Sequence, residues 1–463
     1  MLETLSVHAP WDGRLLDTLP VSTEAEVEAA FANANALFRD RKRWLPKTER
    51  VAILRCAATL ARGRREALAL HVASESGKPL RDALIEIDRG IDGIELCIET
   101  LRAEGGHVIP MDLNATSAGR VAFTQMEPIG VVLGLAAFNH PFNLVIHQVA
   151  PAVAAGAPVI VKPSPKTPLS CRAVVDIFYE AGLPKGWAQM VLPLDLDVIG
   201  RMVSDPRVGF LSFIGSAAVG WTLRSMLAPG ARCALEHGGV APVIVAEDAD
   251  LGQAIPRLGR AGFWHAGQAC VSVQRIFCAR GILADLAAGL SAVADRMVIG
   301  DPTKPETEVG PIITHAEADR IAHWVDASGA TVAAGGKRLS PSTYANTVLV
   351  NPDPMADVSR REVFGPVVCL YPYDDIDAAI ATANDLPFSF QAAVFSRNID
   401  TAMHCFRHLD GTAVMVNEHP LFRVDWMPFA GARQSGLGVG GIPHSIRDMQ
   451  TEKMMVWRSD ALN

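Results

Sequence analysis

The sequence predicts an α/β protein built on a doubly wound parallel sheet, and three observations carry that prediction. From residue 129 onward short apolar runs alternate with helix-patterned stretches: 129–138, 158–161, 210–214 and 242–245 read as strands, with 173–181 and 218–227 as helices between them. Polar segments containing Asn139-His140, Lys162-Pro163-Ser164 and Gly215-Ser216 fall at the carboxyl ends of those strands, where doubly wound sheets bind ligands. At 463 residues the chain is also long enough for roughly two to four structural units.

The elements follow in order. Thr23 and Glu26 have the spacing of a capping box, after which Val27, Phe31, Ala34 and Phe38 line one helical face. Helical patterning continues through 51–72 and stops at Ser76-Gly77-Lys78-Pro79, a glycine-then-proline ending. The stretch 128–161 carries no formal charge and is long enough to cross a membrane. Pro141, Pro151, Pro158, Asn139, His140, Asn143, His147 and Gln148 make it a poor span, because they leave polar groups unpaired in lipid. Strand, loop, buried helix, strand is the expectation. A second α/β stretch runs over about 240–443, with strands at 346–350 and 367–371 and a helix at 376–383.

A net charge of −8 without a basic block argues against nucleic acid as a partner. An anionic cofactor remains possible, since backbone N–H groups at a helix start bind phosphate. The eight cysteines are scattered, with no C-x-x-C pair or Cys/His cluster, so neither a metal site nor a disulfide framework is indicated. Unpaired thiols and the lack of a signal-like start at Met1-Leu2-Glu3-Thr4 predict a cytoplasmic location. The run Gly436-Leu437-Gly438-Val439-Gly440-Gly441 satisfies G-x-G-x-x-G, but no apolar strand precedes it, so it is read as a flexible loop rather than a cofactor site.

Cys270, in Gly267-Gln268-Ala269-Cys270-Val271, would alone be read as a buried structural thiol. Glu236, in Leu235-Glu236-His237-Gly238-Gly239, and Asn139 lie upstream of it. Taken in this order, these segments resemble the aldehyde dehydrogenase superfamily. Lys162-Pro163-Ser164 with Thr167-Pro168 is similar to its cofactor-ribose segment, and Phe213-Ile214-Gly215-Ser216 to its Phe-Thr-Gly-Ser loop. Glu362-Val363-Phe364-Gly365-Pro366, Pro428-Phe429-Ala430-Gly431 with Ser435-Gly436, and Glu75-Ser76-Gly77-Lys78-Pro79 resemble three further family signatures.

The resemblance implies a Rossmann-like dinucleotide-binding domain (1–109 and 129–238), an α/β catalytic domain (239–446) and a small β element (110–128 with 447–463). That element would join subunits into a homodimer or homotetramer, with 453–458 as a strand. Cys270 would be the nucleophile, Asn139 and the Cys270 N–H would hold the oxyanion, and Glu236 would activate water against the thioester. Lys162, Ser164, Gly215, Ser216, Glu362 and Phe364 would hold NAD or NADP.

Departures from the family pattern shape the rest. Pro165 stands where many NAD-preferring members carry a glutamate that repels a 2′-phosphate, so NADP is permitted, and dual use or a lean to NADP is expected. His140 replaces the usual aromatic beside Asn139, and Asn143 and His147 follow where bulky apolar groups are common. By resemblance Trp264 and Val271 flank the nucleophile. The loop holding His419 and Arg423 would close the tunnel, with Arg423 either an anion clamp or a loop or intersubunit contact. The expected substrate is a small hydroxylated or anionic aldehyde of the semialdehyde, phosphonoaldehyde or sulfoaldehyde type. Two rivals are a CoA-acylating dehydrogenase, against which Glu236 argues, and a non-catalytic binding or structural relative, against which intact Asn139, Glu236 and Cys270 argue.

Overall fold

The structure, a computed structural model, describes residues 3–462. The capping box forms: the Thr23 hydroxyl accepts from Glu26 N, and the Glu26 carboxylate accepts from Thr23 N at 2.8 Å. The helix Glu24–Arg39 then buries Val27, Ala30, Phe31, Ala34 and Leu37. Leu37 takes the core position expected of Phe38, which is only half-buried. Helices Lys47–Gly63 and Arg65–Ser76 end where Gly77 adopts φ 76°, the left-handed cap that glycine supplies without strain.

The charge-free stretch resolves into strand Val131–Leu135, helix Asn143–Ala155 with every residue buried, and strand Val159–Lys162. No helix among the described residues is long and apolar enough to cross a membrane.

Two sheets carry the fold. The first has six strands in the order Gly436–Leu437, Arg232–Glu236, Val208–Ile214, Val131–Leu135, Val159–Lys162 and Ala188–Met190. All pairs are parallel except the first. Chain order reverses at Val131–Leu135, so the crevice of a doubly wound sheet opens there. The second sheet runs Thr331–Ala334, Thr347–Val350, Val367–Tyr373, Arg275–Ala279, Pro242–Val245, Gln391–Phe395 and Ala413–Val416, parallel apart from its first pair. A third sheet joins Gln450–Arg458, Arg120–Pro128 and Val108–Ile109.

The structure corrects the sequence reading at 436–441. Gly436 and Leu437 pair antiparallel with Glu236 and Leu235, and Gly440 bridges Phe429, so this run is an ordered sheet edge rather than a flexible loop. Its glycines are there for close approach: a methyl on Gly440 would collide with the Glu236 carboxylate.

Candidate active site

Four neighbouring parallel strands end side by side. The register pairs Leu135 with Lys162 and with Phe213, and Ile214 with Glu236, which brings the segments after 135, 162, 214 and 236 to one rim. Ser216 caps helix Ala217–Met226 without using its side chain, leaving the first helical N–H groups free to meet an anion. Beneath it, His237 is a neutral buried residue: desolvation lowers its pKa, and its Nδ1 contacts the Gly215 carbonyl at 2.9 Å. Lys162 contacts the Pro163 carbonyl at 3.1 Å, and Ser164 accepts from Lys166 N, so both sit in one turn. The buried Glu75 carboxylate, which the sequence reading used only as a signature, accepts from Leu169 N and Ser170 N and clamps the helix that follows this turn.

Cys270 lies in a strained loop. His265, Ala266 and Gly267 take φ of 49°, 53° and 70°. Non-glycine residues there cost about 1–3 kcal/mol each, so the surroundings must enforce the shape. Gln268 does much of that: its amide donates to the His265 and Pro311 carbonyls, and its Oε1 accepts from Ile313 N. Gly267 is required because a Cβ would strike the Gly365 carbonyl. Asn139 donates one amide hydrogen to the Gln268 carbonyl at 3.0 Å, which fixes the side chain two residues from the thiol and leaves its second hydrogen unused. Among the described residues the Cys270 N–H has no partner outside its own residue, where it favours the thiolate.

The thiol is half-buried beside Val271, Phe390, Phe429 and Leu421. Burial, then the charge of Glu362, push its pKa up to about 12; Arg423 acts the other way, and Glu236 adds to the rise. Asn139, through the Gln268 carbonyl, and Glu236, through its charge, thus both bear on the segment that carries this thiol. Glu362 is itself raised by burial to about 8, has an unpaired buried Oε1, and packs so tightly on Gly238 that a methyl there would collide. Phe364, at φ 49°, meets Phe138 edge-on.

A pH dependence follows. Below about pH 8 Glu362 is protonated and exerts no charge; above it, its anion opposes thiolate formation at Cys270. Glu362→Gln should therefore be alkylated by iodoacetamide at Cys270 faster than wild type well above that pH, with the two rates converging well below it. Peptide mass spectrometry of the labelled cysteine checks this; coincident rates at high pH would remove it.

The substrate side is polar and more densely wired than expected. His140 stacks on Trp264, with ring centroids 5.2 Å apart, and its Nδ1 meets Lys78 Nζ at 3.1 Å. Lys78 pairs with Glu86, both fully buried. His147 does not face the cleft freely, because its Nε2 contacts Asp425 at 2.9 Å. Arg89 grips the same carboxylate bidentately at 2.8 and 2.9 Å. Burial alone would raise the Asp425 pKa; the His147 and Arg89 contacts outweigh it and hold it far below the usual carboxylate range. Asn143 is buried at the start of its helix with Oδ1 unpaired. Val271 is buried against Phe390 and Phe429. His419 sits in the loop before Arg423, its Nε2 3.6 Å from the Glu418 carboxylate.

Arg423 is neither a solvated loop residue nor bound to one partner. Its side chain is 11% exposed, lies 3.6 Å above the Phe429 ring, and approaches Asp425 only to 3.8 Å, with Nε making no hydrogen bond. Glu236 and Cys270 both lie within its field.

Lys78 entered the sequence reading only within a helix stop and a signature, and Asp82, Glu86 and Arg89 went unread. They form one polar stripe at the start of helix Leu80–Ala103, and spacings of three and four among charged residues beside apolar ones were the available signal.

A reversal crevice, a free helix N-terminus and a thiol among carboxylates and amides define a dinucleotide-linked enzyme with a cysteine in its cleft. The orphaned Glu362 oxygen and the uncapped helix at Ser216 suit a ribose hydroxyl and a pyrophosphate, so the residues fit the cofactor. A model of the aldehyde dehydrogenase family matches residues 1–455, and the chain belongs to that family. It is 34% identical over 441 residues to 3-sulfolactaldehyde dehydrogenase of Priestia aryabhattai, covering 95% of this chain and 91% of that one. Aldehyde dehydrogenase 21 of Physcomitrella patens, solved with its reaction product succinate, superposes with a TM-score of 0.94 at 31% identity, covering 99% and 95% of the two chains. The NADP complex of the glyceraldehyde-3-phosphate dehydrogenase of Methanocaldococcus jannaschii gives 0.93 at 30% identity, covering 99% and 100%. The protein is thus an NAD(P)-dependent aldehyde dehydrogenase.

Proposed function

We propose that the protein oxidises a small aldehyde with an anionic or hydroxylated far end, of the semialdehyde, phosphonoaldehyde or sulfoaldehyde type, to the carboxylic acid. The observation that carries this reading is the Arg423 guanidinium, held on Phe429 beside the thiol with an unpaired Nε. A cation so desolvated favours an anionic group in the same cleft. The sulfonated substrate named for the Priestia relative and the succinate named for the moss enzyme are in keeping with it.

In this mechanism NAD(P) supplies the hydride acceptor. Cys270, as thiolate, adds to the aldehyde carbon. The spare Asn139 hydrogen and the free Cys270 N–H meet the developing oxyanion. After oxidation Glu236 takes a proton from water, which attacks the thioester and frees the sulfur. Gly215, Ser216, Lys162 and Ser164 would hold the cofactor's phosphates and adenosine ribose, while Glu362 and Phe364 would hold the nicotinamide end. With Pro165 exposed and no carboxylate at that position, NADP and NAD are both accepted.

The three-stranded sheet leaves Phe123, Met454, Met455, Val456 and Trp457 exposed, which supports its assignment as the surface joining subunits in a homodimer or homotetramer. The eight free thiols support a cytoplasmic location.

Arg423→Met should lower kcat/KM for succinic semialdehyde by about 10–100-fold while changing that for propanal far less, the scale of a lost charged hydrogen bond. An equal loss on both substrates would remove the clamp.

A further inference from the structure

The turn after Asn139 holds a device that the proposed reaction does not itself require. We propose that Lys78 and Glu86 hold His140 as its Nε2–H tautomer, making His140 a specificity-determining residue that donates a hydrogen bond to a substrate oxygen other than the carbonyl. This rests on the polar-aldehyde reading and deepens it, from a charge at the far end to an oxygen nearer the reacting carbon.

The tautomer follows from the donor inventory. An ammonium has three hydrogens and no lone pair, so Lys78 Nζ, 3.1 Å from His140 Nδ1, donates and Nδ1 accepts. Glu86 lies 3.7 Å from Nδ1, too far to take a proton from it; burial lowers the Lys78 pKa, and the Glu86 contact with Nζ opposes that and favours the ammonium. The ring hydrogen is then on Nε2, which has no protein partner among the described residues. The arrangement is rigid. Glu86 Oε1 accepts from Phe142 N and Asn143 N, anchoring the pair to the helix start that carries the turn. Trp264 stacks on the ring at an interplanar angle of 28°, and Lys78 lies 5.2 Å from the Trp264 ring centre. A second proton on the imidazole is opposed by burial and by Lys78, Arg89, His265 and Arg423.

A desolvated donor in a substrate cleft selects by what it loses. An alkyl aldehyde leaves the N–H unpaired, whereas a hydroxyl or acid oxygen satisfies it. Lys78 and Glu86 act only through His140 and are positioning residues.

The test uses an uncharged substrate pair, to which the Arg423 clamp is blind. The ratio of kcat/KM for glyceraldehyde over propanal, corrected for hydration, should be about tenfold or more in wild type and fall towards unity in His140→Phe, which keeps a ring on Trp264. Independently, the ring-nitrogen shifts of 15N-histidine-labelled full-length protein, with His140 assigned from H140F, should report Nε2–H in wild type and a mixture in the paired variant Lys78→Met/Glu86→Gln. A glyceraldehyde-to-propanal ratio equal in wild type and H140F would overturn the proposal, and so would an Nδ1–H tautomer in the wild-type protein, which needs no variant to fold. Preference for succinic semialdehyde over propanal would survive either failure if the anionic reading is right, and would vanish if that reading is wrong.

Discussion

Cys270→Ala should cut aldehyde oxidation by about ten-thousand-fold or more while leaving cofactor affinity and melting temperature close to wild type. The magnitude is typical of deleting a covalent nucleophile. No other cysteine stands in for it. Cys97, Cys171, Cys278, Cys369 and Cys405 are buried, Cys56 is exposed on a surface helix, and Cys233 lies in a strand. The loop around Cys270 is shaped by Gln268, Gly267 and the left-handed backbone before it, none of which needs the sulfur. Steady-state rates, isothermal titration with NADP and thermal melts together check this. Activity within tenfold of wild type would mean that the thiol at 270 is not the group that adds to the carbonyl.

Glu236→Gln should split the reaction in two. Reduced cofactor should appear in a burst equal to the enzyme concentration, and turnover should then fall by about a hundred- to ten-thousand-fold, because the amide cannot take a proton from water. The substitution keeps the strand and its pairing to Gly436. Stopped-flow absorbance measures both phases, and intact-protein mass spectrometry should show the acyl adduct on Cys270. Were coenzyme A the natural acyl acceptor, adding it would restore turnover in this variant, since thiolysis needs no carboxylate base. Rescue of that kind would replace hydrolysis with acyl transfer.

The parts of the fold legible in the sequence are those where local chemistry and tertiary packing agree. The capping box at Thr23 and Glu26, the glycine stop at Gly77 and the apolar strands Val131–Leu135, Val208–Ile214 and Val367–Tyr373 each carry a signal that packing reinforces. Helix Leu80–Ala103, 24 residues long, went unread because its buried face interleaves Asp82 and Glu86 with Ile87, Ile91 and Ile94. An apolar-periodicity argument cannot follow a helix that buries charge. Strand Arg232–Glu236 was missed for a related reason, since its only fully buried side chain is Leu235. The proposed trio of Asn139, Glu236 and Cys270 was picked out through its flanking motifs. The partners of His140 and His147 were not, because contacts such as Arg89 with Asp425 join residues 336 positions apart. Arg423 shows the same limit: its loop position suggested a mouth residue, and only the fold reveals the aromatic shelf beneath it.

The pairing of Gly436–Leu437 onto Arg232–Glu236 has a consequence for how the molecule is made. During synthesis the rim bearing Glu236 stays without its neighbour for some two hundred residues. Ile442, Ile446 and Met449 likewise join the core built by residues 37–210, so that layer is also unfinished until the last stretch arrives. A ribosome stalled at residue 430 would display an open edge, the sort of template on which chains aggregate. The first half excised alone should expose that edge and that core, and chimaeras joined near residue 240 should need both ends from one parent.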